Sequence, residues 1–452
     1  MMRCENKNVL EIASLLRAAG GRALLAGGCV RDFLTGTQPH DFDLEVYGLS
    51  AAEIISALQG HYELDLVGMS FGVMKVHHCN IDIALPRTES KTGRGHRGFM
   101  VSPMPDLDFA TAAARRDFTV NAMMMDVLTG EIIDPHGGQQ DLKNGILRHV
   151  SSHFTEDPLR VLRGMQFIGR FGFSAAPETI RLCAQLSQEE LAPERIAGEW
   201  DKLLLQGCFI SAGLRFLQAV NWVRFYPELA ALISCPQDPR WHPEGSVWNH
   251  TLAALDAAAR LRSDNDFDAL VLMLAVLCHD FGKAACTVCH PDGRITSAGH
   301  DTFTAPAENF ISGIWLRRDL TDKVIPLIKA HMQPWQLIRD GSSDRAFRRL
   351  ALHAKRLDLL ADLVECDVRG IAAGREALHE KLLLLDKFRK RAGELALAQH
   401  PPVPLVLGRH LLARGIKPGP QMKPLLDRCF DAQIEGEFHD LDGAMKFLDT
   451  LL

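Results

Sequence analysis

This 452-residue chain has little long apolar sequence, and its most apolar run is far too short to span a bilayer. The most apolar run, Ala269 to Cys278, reads as a buried helix. The N-terminus, with Glu5 and Lys7 near its start, lacks the apolar segment of a secretory leader. An excess of positive charge is missing as well. The formal net charge is −6, so a nucleic-acid partner has to be met by local basic patches, and no membrane partner is expected. The eleven cysteines are scattered and odd in number, which excludes a disulfide framework and points to the reducing cytoplasm. Cys286-Thr-Val-Cys289-His290 has the spacing of a haem attachment or of half a zinc site, but no second pair follows, and it reads as incidental thiols in a loop. Internal repeats and low-complexity segments are absent.

What is present is ample apolar material: 47% of the residues are hydrophobic, enough for several cores, and two to four domains are expected. Strand and helix patterns alternate to about Val150, and the pattern is helical almost throughout thereafter. Arg87 to Asp108, rich in Gly, Pro, Ser, Arg and His, reads as a long mobile loop. The expected divisions are a head at 1–150, a helical neck at 151–235, a metal-binding body at 236–375 and a helical tail at 376–452.

The head carries the most informative pattern. Arg22 to Ala26 reads as a short buried strand, followed by Gly27-Gly28-Cys29-Val30-Arg31-Asp32, a glycine turn that opens a helix. Such a turn lets backbone approach a phosphate closely, and free N–H groups at a helix start favour anions. Next comes Asp41-Phe42-Asp43-Leu44-Glu45-Val46, where a strand would put the acids on one face and the apolar residues on the other. Alternate residues on a strand lie roughly 6.6 Å apart. Two carboxylates at that span can share a pair of metal ions about 3.5–4 Å apart. Either motif alone would fit a solvated edge strand after a turn; their order and spacing together fit nucleotidyl transfer.

Further along, Arg115-Arg116-Asp117-Phe118-Thr119-Val120-Asn121-Ala122 sets two fixed cations beside an acid and an amide, groups suited to phosphate and ribose, although a helix cap in a charge cluster would use the same residues. Asp134 to Leu142 reads as a structural turn. Glu156-Asp157-Pro158-Leu159-Arg160 is a helix start whose i,i+3 spacing puts Asp157 and Arg160 on one face. A carboxylate beside a guanidinium matches the amino donor and ring-nitrogen acceptor that cytosine and adenine share; an ion pair without a ligand is the alternative.

These blocks resemble the polymerase-beta-like nucleotidyltransferases, in particular the bacterial CCA-adding enzyme and poly(A) polymerase group. The resemblance implies an α+β nucleotidyltransferase head on an all-α neck, body and tail, elongated and multidomain. It implies that Asp41 and Asp43 are catalytic and bind Mg2+, and that Gly28, Arg31, Arg115, Arg116, Asp117, Asn121 and Arg163 hold the nucleotide. Asp157 and Arg160 would select CTP and ATP, tRNA would be the acceptor, and Asp82 is a candidate third acid. Pro193-Glu-Arg-Ile196 matches a later neck block with a structural role.

A second cluster lies between His242 and Asp367. His250, the His279-Asp280 pair and Asp367 occur in an order that resembles the HD metal-dependent phosphohydrolase superfamily. The resemblance implies a divalent ion there, Mn2+, Ni2+ or Mg2+, with His300 and His331 as further candidates. Imidazole and carboxylate ligands suit first-row divalent metals better than calcium. In the tail, Gly408 to Pro420 resembles the RNA-binding end of the same enzymes; Lys387 to Arg391 reads by default as a solvated charged helix face, with a phosphate grip that includes Phe388 as the alternative. The expected activity is template-independent CCA addition to tRNA by a monomer or homodimer, with a possible phosphohydrolase. The competing readings are a poly(A) or partial-adding enzyme, and an HD phosphohydrolase with a nucleotide-binding regulatory head.

Overall fold

The computed structural model describes residues 4–66, 68, 69, 72–91, 99–189, 191–372 and 374–452. It divides into two compact units, Met1–Leu203 with Ala212–Phe225 and Leu204–Ser211 with Tyr226–Leu452.

The first unit is built on a seven-stranded mixed sheet. Along the chain come α1 (Lys7–Ala18), β1 (Arg22–Ala26), α2 (Gly28–Leu34), β2 (Phe42–Tyr47), α3 (Ala51–Leu58), β3 (Leu64–Asp65), β4 (Val73–Val76) and β5 (Ile81–Ala84). A separate two-stranded hairpin, β6 (Arg87–Lys91) and β7 (Phe99–Pro103), is followed by α4 (Phe109–Ala113), β8 (Met124–Asp126), β9 (Ile132–Ile133) and α5 (Gly138–Asn144). The sheet order is β3-β4-β5-β2-β1-β8-β9, with β2 and β5 parallel and the other pairs antiparallel. The helices start on local side-chain caps: Asn6 accepts from Asn8 and Val9, Ser50 and Glu53 form a capping box, and Asp108 accepts from Thr111.

Strand β2 shows how the pattern becomes a site. Phe42, Leu44 and Val46 enter the larger core with Leu25 and Ile83, under α1 and α3. Burying each such side chain contributes about 1.5–3 kcal/mol. The alternate residues Asp43, Glu45 and Tyr47 therefore face the other way, and a one-residue slip would drive the acids into the core. That opposite face holds a smaller cluster of Leu24, Ala26, Tyr47, Ala113 and Met124. The neck follows as α6 (Leu159–Phe171), α7 (Pro177–Cys183) and α8 (Pro193–Gln206). Helix α6 ends on Gly172 in the left-handed region.

Two expectations change here. Arg87 to Asp108 is not one long loop: β6 pairs in register with β7, Arg87 opposite Pro103 through Lys91 opposite Phe99, and α4 begins soon after. Residues 92–98 lie outside the described residues. Asp157 and Arg160 do not share a helix face, because α6 begins only at Leu159 and Asp157 is extended at φ −128°, ψ 98°. A residue that precedes proline is pushed out of the helical region by the ring, and Pro158 does that here.

The second unit is predominantly helical. Helix Asp266–Cys278 is capped by Asn265, and all its residues from Ala269 to Cys278 are buried, so the most apolar run of the chain is core. It packs with Val247–Ala258 and Leu357–Gly370. The C-terminal helices Gly408–Leu412, Met422–Glu435 and Leu441–Leu451 share their own cluster around Val406, Leu411, Cys429 and Leu448. The proposed phosphate grip at Lys387 to Arg391 is corrected. Phe388 is fully buried and stacks on Phe347, Arg389 is paired with Asp362 and Glu365, and Arg391 with Asp344 and Glu394.

Candidate active sites

The first site is a cleft of about 690 Å³ lined by Gly27, Gly28, Arg31, Asp41, Asp43 and Arg116, by Asp117 and Asn121, and by Asp157, Arg160, Arg163 and Arg170 of the neck. Gly27, between β1 and α2, has φ +75°, and a Cβ there would stand 3.3 Å from Arg116 Nη1, so glycine is needed both for the turn and for the approach. Asp43 lies on the cleft side of β2, directly beside Asp82 of the parallel neighbour β5. Partial removal from water and the Asp82 carboxylate raise the Asp43 pKa, with Arg116 opposing. Lys75 approaches Asp82 at 3.4 Å from β4. Carboxylates massed in this way favour a cation, and hard oxygen donors suit Mg2+. Glu45, the third alternate acid, is buried, paired with Arg116 and hydrogen-bonded by the Tyr47 hydroxyl at 3.2 Å, so it braces the site from beneath.

Arg31 is buried. Its guanidinium lies 4.6 Å from the Phe171 ring centre and donates to Asn121 Oδ1 at 2.7 Å and to Asp32. Asp117 is engaged on both oxygens: Oδ1 accepts from the Phe118 N–H at 2.7 Å and from Asn121 at 3.0 Å, while Oδ2 accepts from Arg163. Burial alone would raise its pKa, but the Arg163 guanidinium overcomes that and holds it below the ordinary carboxylate value. Arg160 donates to the carbonyls of His153 and Arg115 at 2.7 and 2.6 Å. Asp157 is held instead by Arg195 of α8, whose Nη2 donates to Oδ2 at 2.7 Å. Arg115 is outside the cleft lining and donates to the Arg87 carbonyl at 3.0 Å.

The second site lies in the helical unit. His250, His279 and Asp367 offer ligand atoms within 4.8 Å of one another, and so do Asp280, His300 and His331. Asp280 joins the two groups, with Oδ2 3.3 Å from His279 Nε2 and Oδ1 3.4 Å from His300 Nε2. The ring orientations are fixed from behind. The Nδ1 atoms of His279, His300 and His331 lie 2.8, 2.8 and 2.6 Å from the carbonyls of Val276, Ser297 and Ile328. A carbonyl can only accept, so Nδ1 carries the proton and Nε2 turns its lone pair to the cluster. For His250 the partner is Glu244, at 3.1 Å. The Nε2 atoms of His250, His279 and His300 and Asp280 Oδ2 are buried without a hydrogen-bond partner. Unsatisfied lone pairs converging from imidazole and carboxylate are the donor set of a first-row divalent ion, and these residues fit one. Burial lowers the pKa of His250, yet Asp367 and Glu244 carry it up to about 9; burial and His279 push His331 down to about 4. Gly282 lets the His279-Asp280 turn abut the next loop: a Cβ there would fall 2.2 Å from the His300 carbonyl oxygen.

Residues 23–148 match the Poly A polymerase head domain. A multifunctional CCA protein of Xanthomonas campestris is 35% identical over 374 residues, covering 78% of this chain and 87% of that protein. The chain belongs to the multifunctional CCA protein family. Its match to the Nitrosococcus oceani member is 39% identical over 267 residues and spans 57% of this chain and 62% of that protein. The fold is that of a solved structure, the Bacillus stearothermophilus CCA-adding enzyme in complex with CTP, at a TM-score of 0.65, with 20% identity over 100% of this chain and 98% of that one.

Among the residues the family resemblance singles out, all but Arg115 of the nucleotide set line the one cleft, and His250, His279, Asp280 and Asp367 meet in the other site. Sequence reasoning missed Arg195 as the partner of Asp157, Glu244 behind His250, and Gln166 and Lys202 in the cleft wall. Glu244 had a signal, since it stands between His242 and His250 and accepts from both rings. Cys286 and Cys289 are free thiols beside the short pair Val288–Cys289 and Ile295–Thr296.

Proposed function

We propose that the chain adds CMP, CMP and AMP to the 3′ end of immature tRNA, taking CTP and ATP without a nucleic-acid template, and that its histidine cluster hydrolyses phosphoesters. Family membership supports the first activity. The observation that carries it at the level of residues is a single cleft in which Asp41 and Asp43 share the walls with Arg31, Arg116 and Arg163 and with Asp157 and Arg160.

In the transfer step the RNA 3′-oxygen bonds to the α-phosphorus, the bond to pyrophosphate breaks, and the hydroxyl proton passes to solvent. Mg2+ held by Asp41 and Asp43 would lower the pKa of the attacking hydroxyl and stabilise the departing pyrophosphate. Arg31 and Arg116 take the triphosphate, while Asn121 takes the ribose, oriented by Asp117. Asp157 accepts from the exocyclic amino group of cytosine or adenine and Arg160 donates to the ring nitrogen; guanine and uracil present the opposite polarity and are refused.

In the histidine cluster His250, His279, Asp280 and Asp367, with His300 and His331, would hold Mn2+, Ni2+ or Mg2+, which supplies an activated water. A cytoplasmic location belongs to the same reading, supported by eleven cysteines that are all free thiols. The test is product length. A tRNA lacking its end, incubated with CTP and ATP, gains three nucleotides and stops. Continued A addition to arbitrary RNA would make the chain a poly(A) polymerase, and no extension at all would leave only the phosphohydrolase.

A further inference from the structure

Beside the histidine cluster opens a cleft of about 390 Å³, lined among others by Gln237, Trp241, Asp280, Lys283, His300 and Trp335. Gln237 is buried, and its carboxamide oxygen accepts from Lys283 Nζ at 2.9 Å. The ammonium has no lone pair, so the amide can stand in only one way round: oxygen to the lysine, NH2 away from it. That NH2 nitrogen is buried and has no hydrogen-bond partner. A buried donor left without an acceptor is costly, and an oxygen of an occupant in the cleft would remove that cost. Lys283, itself buried, also forms an ion pair with Asp280, its Nζ standing 2.7 Å from Oδ2, and its ammonium carries three N–H bonds in all. Two donors thus lie side by side, next to carboxylate and imidazole groups that converge on a cation.

We propose that the Gln237 amide and the Lys283 ammonium form a subsite for one non-bridging oxygen of the phosphoryl group that is cleaved over the histidine cluster. The inference rests on the phosphohydrolase reading above and names the groups that orient its substrate. Hydrolysis adds a water oxygen to phosphorus and breaks one P–O ester bond; one proton of the water leaves with the alcohol and the other stays on the phosphoryl group. Negative charge on the non-bridging oxygens is held throughout, and two fixed donors in a cleft stabilise it where they would do little in bulk water. Gln237 would touch the substrate directly and also aim Lys283, which no other side chain but Asp280 contacts among the hydrogen bonds and ion pairs of the described residues.

Full-length protein loaded with Mn2+ is assayed on bis(p-nitrophenyl) phosphate, with inorganic phosphate as competitor and as a titrant in calorimetry. Gln237→Glu keeps the acceptor for Lys283 and the side-chain shape but removes the N–H donor; Gln237→Leu removes both. Both variants should lose roughly 10²-fold in kcat/KM, the usual effect of deleting one oxyanion donor. The phosphate inhibition constant should rise about tenfold, bound Mn2+ by elemental analysis should be unchanged, and calorimetry should show phosphate bound about tenfold more weakly than by wild type at the same stoichiometry. Hydrolysis within twofold of wild type in both variants would overturn the subsite and leave the phosphohydrolase reading standing. Loss of Mn2+ together with phosphate would overturn it too, making Gln237 a strut of the metal site. A wild-type protein that hydrolyses nothing with Mn2+, Ni2+ or Co2+ would remove both.

Discussion

Asp117 Oδ2 accepts from both Nε and Nη2 of Arg163, at 2.7 and 2.6 Å, and so ties the segment between α4 and β8 to helix α6. The carboxylate is buried and its second oxygen carries two more donors, so this contact organises the cleft and has no lone pair left for a ligand.

Asp117→Asn should therefore destabilise the first unit by about 1–2 kcal/mol, the loss of a charged hydrogen-bond acceptor for a guanidinium that is only half-buried. The pH dependence has a definite sign. The folded pKa is depressed below the ordinary 3.8, so the stabilisation is complete above that value and is lost as pH falls through the folded one. Urea unfolding at a series of pH values should show a wild-type advantage that is constant near neutrality and shrinks below about pH 4. A gap that stays constant into acid would contradict the ion pair as its source.

Asp43 behaves in the opposite way. Its pKa is raised, so its charge opposes folding at neutral pH and is tolerated for the sake of a cation. Asp43→Asn without metal should melt at or above the wild-type temperature, gain nothing from added Mg2+, and fail to extend tRNA. Differential scanning fluorimetry with and without Mg2+ separates this from a folding defect, which would lower the melting point.

Under the proposed base reading, Arg195, which holds Asp157, acts on base choice through it. A good paired contact to a base edge discriminates by about 1–3 kcal/mol, so Arg195→Ala should lower the preference for CTP over UTP by roughly 10- to 100-fold. Single-nucleotide incorporation with each NTP reads this out. Equal loss of kcat/KM for both nucleotides would mean that Arg195 only supports the helix.

Substituting His279 or Asp280 with alanine addresses the second site. Phosphoester hydrolysis and bound transition metal should disappear from the two variants while three-nucleotide addition continues at the wild-type rate. Hydrolysis that survives in Asp280→Ala would place that chemistry elsewhere.

How far the sequence could be read depended on the range of the interaction. Period-two alternation in Phe42 to Val46 is a local property and fixed which face carries the acids, because the same alternation buries Phe42, Leu44 and Val46. That His250, His279, Asp280 and Asp367 gather in one cluster was legible through their order along the chain. Arg195 was not, since its partner lies 38 positions earlier and no local spacing relates them. Asp157 was misread because the helical period was carried one residue past a proline that forbids it. The basic run Lys387 to Arg391 looked like a phosphate grip only while its acidic neighbours, Asp344, Asp362 and Glu365, were distant in sequence.

Gly282 has a consequence out of proportion to its size. No ligand atom belongs to it, and a survey of functional groups would pass over it. Yet the turn that supplies His279 and Asp280 and the loop that supplies His300 touch across the space where its side chain would be. A single added methyl group would wedge them apart, so the least reactive residue of the neighbourhood sets how closely the reactive ones can gather.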